Sequence, residues 1–178
     1  GDNGYYFVMS PIAWGWVPAA DVAFAAPSKI AGFSEPKKFI MVSEHRRPYY
    51  SDKDFSTFAG YLYMGEKLPL DRPVDGGYRA LAPARRHDGS FAAEKVWIRE
   101  GETVHEGFLP YTQRNAITTA FRLLGRPYGW HDSWDERDCG GILRVIFNCF
   151  GFTFPRYWSF EQLHSDHAMY VGNMNDMA

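Results

Sequence analysis

The chain has two cysteines and six histidines, and one cysteine stands apart by its setting. Cys139 lies in "RDCGGILRVIFNCFG" (Arg137 to Gly151), directly after an arginine–aspartate pair and at the head of an apolar run with helical spacing. A thiol in the first turn of a helix faces unpaired backbone N–H groups and the positive end of the dipole, and both favour a thiolate. A thiolate placed there is a nucleophile suited to attack on a carbonyl. Asp138 has the form of a helix N-cap. Its charge partly opposes a thiolate, but it also suits recognition of a cationic group. Gly140 and Gly141 weaken a helix by up to about 1 kcal/mol each relative to alanine, so their presence predicts close approach of a substrate backbone beside the sulfur. The plainer alternative is a buried structural thiol with Asp138 as its cap. A nucleophilic cysteine also needs a base within hydrogen-bond reach. His167, at the head of "HAMYVGN", is the candidate, and His164 and His131 compete with it.

The elements that must position these groups fall into two grammars. Up to about residue 110 the chain reads as short strands: "YYFVMS", "WGWVPA", "KFIMVS", "GYLYMG", "YRALAP" and "EKVWIRE", rich in aromatic and β-branched residues and punctuated by Gly, Pro, Asp or Ser. That spacing predicts small barrels, with "DRPVDGG" (Asp71 to Gly77) as the internal boundary. From Pro110 the pattern is helical. "PYTQRNAITTAFRLLG" has Thr112 as N-cap and Gly125 as terminator, and a second helix opens at Cys139 and closes at Gly151. "HAMYVGN" reads as a short strand.

A net charge of −2 and a pI near 6.3 give no pull toward nucleic acid or anionic lipid. The paired basic residues Lys37–Lys38, Arg46–Arg47 and Arg85–Arg86 read as solvated loop surface. No apolar run reaches the roughly 18 residues of a membrane span, and "GDNGYYF" reads as a mature or trimmed start. No Cys/His spacing reads as a metal site, and no cofactor is expected. On one helix, Cys139 and Cys149 would stand about 15 Å apart, against roughly 4.4–6.8 Å for a disulfide, so they cannot pair.

Taken in order, "LLGRPYGW", "RDCGG", "FNCFGFTFPR" and "HAMYVG" resemble the NlpC/P60 family of papain-like cysteine peptidases. The upstream part resembles the two bacterial SH3-type modules that precede that domain in some cell-wall endopeptidases. The resemblance implies two small all-β SH3-like barrels, residues 1–70 and 71–111, followed by an α+β papain-like domain over 112–178. It implies Cys139 as nucleophile and His167 as base, with Tyr128 near the oxyanion or substrate. Asp138 would hold a free amino group of the peptide, Gly140 would line the pocket, and an aromatic from among Tyr5, Trp14 and Trp16 would close it, with Trp14 as the candidate. The implied reaction is hydrolysis of the γ-D-glutamyl–diamino acid bond (diaminopimelate or lysine) in peptidoglycan stem peptides or muropeptides, by a protein that is secreted or lies in the cell envelope (periplasm).

The chain departs from the family pattern in three places. Gly140 replaces the usual serine, and His131 and Asp132 replace the usual glycine pair. His167 follows Cys139 by only 28 positions (167 − 139), an interval that predicts residues missing between about Gln162 and His167, and the third polar residue that would orient the base is expected after Ala178. Two other readings stay open: an inactive relative that binds wall peptides, and a papain-like amidase or acyltransferase on another substrate.

Overall fold

The computed structural model describes residues 2–10 and 14–154. Near the N-terminus, β1 (Tyr5–Met9) and β2 (Trp14–Pro18) form an antiparallel hairpin, followed by α1 (Pro27–Ser34). Seven further strands build one antiparallel sheet: β3 (Phe39–Val42), β4 (Arg46–Tyr50), β5 (Phe58–Tyr63), β6 (Lys67–Val74), β7 (Gly77–Arg85), β8 (Phe91–Arg99) and β9 (Val104–Glu106). Their order is β5-β4-β8-β7-β6-β3-β9. Two helices complete the described chain, α2 (Gln113–Phe121) and α3 (Cys139–Asn148).

The two-residue period of a strand sorts the side chains of β3 onto two cores. Ile40 and Val42 join Leu62, Leu68, Ala80, Val96, Ile98 and Val104 in a core enclosed by the sheet. Leu62 and Val104 come from the two edge strands, so the sheet curls until both edges serve one interior. Met41, on the opposite side, joins Met64, Val145, Ile146, Cys149 and Phe150, with Phe39, Ala116, Ala120 and Ile142 packed against them. This second core binds α2 and α3 to the sheet. Each fully buried aliphatic side chain contributes roughly 1.5–3 kcal/mol.

These two cores overturn the expected architecture. Two separate SH3-like barrels followed by a papain-like domain would keep their hydrogen bonding and cores apart. Here the chain forms a single domain, mostly β with few helices. β3 pairs with β6 on one side and β9 on the other, and β4 meets β8 at Tyr50 and Trp97, so early and late strands interleave in one sheet. The segment Asp71 to Gly77 holds the end of β6, a two-residue Asp75–Gly76 turn and the start of β7. Asp-Gly is a hairpin signal as much as a boundary signal, and Gly76 takes the left-handed φ of 70° that the turn requires.

Six of the seven segments read as strands are strands, and the seventh, "HAMYVGN", lies outside the described residues. β4, β6, β9 and α1 were not expected. Pro48 sits in β4 and Pro69 and Pro73 in β6, where proline argues against a strand. At β6 it is Leu70, not Pro69, that donates across to Lys38. The helix caps follow the sequence: Thr112 accepts from the Asn115 N–H at 3.2 Å, and Asp138 accepts from the Gly141 N–H at 2.7 Å. Among the described residues no helix is long and apolar enough to cross a membrane.

Candidate active site

The two thiols occupy opposite environments on one helix. Cys139 is the first residue of α3 and is exposed. Cys149, at the other end, is 0% exposed, and its Sγ points at the Val145 carbonyl (3.4 Å) and the Val42 carbonyl (3.8 Å). Burial pushes the Cys149 thiol up to about 12, against smaller opposing effects from hydrogen bonds and Arg122. Both cysteines are free.

Tyr128 reaches Cys139 through a parallel bridge between its own backbone and Arg137, which lays "RPYGW" beside "ERDC". Its hydroxyl is raised above the ordinary tyrosine value. Desolvation is the largest cause, and the Cys139 thiol and Asp138 charge add to it, while a hydrogen bond from the Cys139 backbone N–H opposes them. The ring is 56% exposed. The Tyr128 hydroxyl, the Cys139 N–H and the exposed Cys139 sulfur thus meet at the start of α3.

The start of α3 is pinned by a residue that sequence reasoning did not assign to the site. Asp132 accepts the Asp138 N–H at 3.0 Å through Oδ1 and pairs with Arg144 at 2.6 Å through Oδ2. The side chains of Asp132 and Arg144 are 10% and 14% exposed. A Cβ at position 141 would collide with the Asp132 carboxylate, so Gly141 makes room for this clamp. The sequence had suggested a substrate backbone in that space. His131 and Asp132 take left-handed φ values of 55° and 57°, as do Trp134 and Asp135 at 55° and 61°. Such values explain why glycines are usual at positions 131 and 132 in the pattern this segment resembles.

A second ion pair, Arg126 with Glu136, ties the turn after α2 to the strand-like segment before Cys139. Gly129 lies against Glu136, where a Cβ would come within 2.6 Å of the Glu136 Cβ. On the sheet side stands His45, whose Nε2 is buried without a hydrogen-bond partner among the described residues. Its ring packs edge-on to Tyr63 at 6.3 Å.

The structure thus brings Cys139, Asp138, Tyr128 and Gly140 together at one helix start. Trp14 is 66% exposed, and its ring contact is with Phe7 across the hairpin at 5.9 Å. His131 is exposed, with its ring against Trp130 at 5.4 Å. His164 and His167 lie outside the described residues. Asp132, Arg144 and His45 carried no sequence signal beyond their residue type. The one available hint was that two glycines at a helix start must make room for something. Among the described residues no group of three or more His, Cys, Asp or Glu could hold a metal ion.

No family model matches this chain, and no curated protein does. Solved structures do. One is a novel NlpC/P60 endopeptidase from Photobacterium damselae subsp. piscicida, with a TM-score of 0.65 and 20% identity over 88% of this chain and 32% of that one. Another is an NlpC/P60 family protein from Bacillus cereus ATCC 10987, with a TM-score of 0.57 and 22% identity over 80% of this chain and 45% of that one. At these identities the likeness is one of fold, and the chain spans less than half the length of either structure.

Proposed function

We propose that this chain is a cysteine endopeptidase of the NlpC/P60 type that hydrolyses γ-D-glutamyl–diamino acid bonds in peptidoglycan peptides. The observation that carries the reading is the contrast between its thiols: one exposed at a helix start beside a tyrosine hydroxyl, the other buried and held protonated. The ordered motifs around Cys139 and the fold shared with two solved NlpC/P60 proteins support it.

In the proposed reaction the Cys139 thiolate adds to the γ-carbonyl, and its proton passes to the His167 imidazole. The oxyanion of the tetrahedral intermediate is met by the Cys139 N–H and the Tyr128 hydroxyl. The intermediate collapses to a thioester as the amine of the diamino acid leaves with the imidazole proton. Water, deprotonated by the same ring, then cleaves the thioester and restores the thiol. Asp138 holds the free amino group of the peptide, Gly140 leaves the acyl side open, and Trp14 is the aromatic that closes the pocket. The route uses no metal and no cofactor. Its substrate places the protein in the cell envelope or outside the cell.

The test is incubation with L-Ala-γ-D-Glu-diaminopimelate and chromatographic detection of free diaminopimelate. Release that disappears in Cys139→Ala and His167→Ala supports the reading. Release that survives Cys139→Ala, or none at all from the unaltered chain, removes it.

A further inference from the structure

The helix α1 rests on the sheet without sinking into it. The chain leading to it is fixed: Phe24 donates its N–H to the Gly89 carbonyl at 3.1 Å and accepts the Phe91 N–H at 2.9 Å. Beyond that anchor none of the eight residues of α1 is buried, and Ile30 is 56% exposed. Phe33 does reach the sheet, its ring edge-on to Phe91 at 5.2 Å. A helix this short is marginal in water unless its apolar side packs against something.

Between α1 and the sheet lies a cleft of about 550 Å³, a volume within the roughly 300–1,000 Å³ of small-molecule sites. Its floor is Pro69 of β6, Leu81 of β7, and Phe91 and Ala93 of β8. By the two-residue strand period these side chains point away from the interior that holds Leu68, Ala80, Ala82 and Val96. Phe24 and Phe33 supply aromatic walls. No lining residue belongs to α2, to α3 or to the segment between them, so the cleft is separate from the site around Cys139.

The polar part of the lining has one sign. Ser28, Lys29, Arg86 and Ser90 contribute to it, and no aspartate or glutamate does. Arg86 donates to the Phe91 carbonyl at 3.1 Å and to the Ser90 hydroxyl at 3.4 Å. Asp88, outside the lining, accepts from Ser90 and offsets part of the Arg86 charge. Lys29 forms no ion pair among the described residues. An apolar floor with aromatic walls and a cationic rim selects a molecule that is apolar along its length and negative at one end. At about 30 Å³ for a water-sized group, the space takes a chain of about ten carbons with its headgroup.

We propose that this cleft binds an amphiphilic monoanion, a straight-chain carboxylate of about eight to twelve carbons, with its chain under α1 and its carboxylate at Lys29 and Arg86. The chain covers the sheet face that α1 leaves open, and α1 gains the packing it lacks. The inference stands apart from the peptidase reading and does not depend on it.

The experiment is isothermal titration calorimetry of the full chain with octanoate and decanoate, and with octylammonium as the control of opposite charge. Saturable one-to-one binding is expected. Decanoate should bind about 4- to 15-fold more tightly than octanoate, since each methylene that leaves water contributes up to about fourfold. Octylammonium should bind at least about tenfold more weakly than octanoate, because Lys29 and Arg86 repel it. Lys29→Glu, at an exposed position, should bring the two within about threefold of each other. Gly32 also lines the cleft, and a Cβ there would meet nothing within 4 Å, so Gly32→Leu should fold and weaken decanoate by about tenfold or more by filling the space. The proposal is overturned if the unaltered chain takes up no decanoate at about 5 mM, where a site with a millimolar Kd is mostly filled. Equal affinity for octanoate and octylammonium overturns it too, as does an affinity that both variants leave unchanged. Binding to phosphatidylglycerol vesicles without binding to monomeric decanoate assigns this face to a membrane surface and removes the proposal as well.

Discussion

Replacing Asp132 by asparagine tests whether the clamp at the start of α3 is a structural determinant of the site. Asparagine keeps the carboxamide oxygen that can accept the Asp138 N–H, and it tolerates the left-handed φ of 57°. It removes the charge opposite Arg144, a pair held at 2.6 Å with both side chains largely shielded from water. Removing one partner of a buried pair costs about 3–5 kcal/mol. Here the residual exposure and the surviving hydrogen bond lower the expectation to about 2–3 kcal/mol. The Arg144 Nε already lacks a hydrogen-bond partner, and the Glu66 carboxylate nearby offsets only part of the lost charge. With a urea m-value of about 2 kcal/mol/M, the tryptophan-fluorescence midpoint should fall by about 1–1.5 M. Arg144→Met should cost a similar amount, and the double variant should cost less than the two together by about 1.5 kcal/mol or more. A midpoint shift below about 0.3 M, or single effects that simply add, would refute the clamp.

Iodoacetamide at pH 8 should label Cys139 alone, because a thiol at about 12 is ionised in only about one molecule in 10,000 there; mass spectrometry that finds Cys149 labelled in the folded protein contradicts this. Asp138→Asn keeps a cap but removes the charge, so it should raise KM for peptides with a free amino terminus far more than for N-acetylated ones; equal effects reduce Asp138 to a cap. Burial, aided by Arg122 at His105 and by the surrounding arginines at His45, lowers the titration of both rings. Their contribution to stability is therefore full above the ordinary histidine value and is lost as pH falls through the lowered ones. The urea midpoint should drop between pH 7.5 and pH 5, and His105→Gln, which can still bond Ser43, should flatten that slope. Gly65→Ala should cost about 2 kcal/mol or more, since φ is +78° and a Cβ would meet the Asn148 Cβ and the Val145 carbonyl at 2.6 and 2.7 Å; an unchanged thermal midpoint counts against the close approach of that turn to α3.

Local signals were legible wherever a residue acts on its own neighbours. Thr112 and Asp138 announced helix starts, runs rich in aromatic and β-branched residues announced strands, and the helix that opens at Cys139 was legible from its apolar spacing. What depends on partners far along the chain was not legible. Period-two alternation in "KFIMVS" says that both faces of a strand are apolar, but not that one face meets helices and the other a curled sheet. Hence strands destined for a single sheet were assigned to two barrels. The same blindness hid Asp132: its partners are a backbone N–H six residues on and an arginine one helical face away, and acidic residues in a turn-rich segment are ordinarily solvated. His45 stands at the head of a strand whose proline and paired arginines suggested a loop.

The two-sided β3 strand has no face left for water over Ile40 to Val42, and this ties the setting of Cys139 to the folding of the whole unit. The helix that carries the sulfur rests on the back of a strand whose front closes the opposite interior, so neither half keeps its shape alone. A fragment beginning near Pro110 would leave Val145, Ile146 and Phe150 uncovered and would collapse or aggregate instead of folding as a smaller unit. Loss of structure in the sheet should therefore abolish thiol selectivity in the same cooperative step, with no partly folded species that retains it.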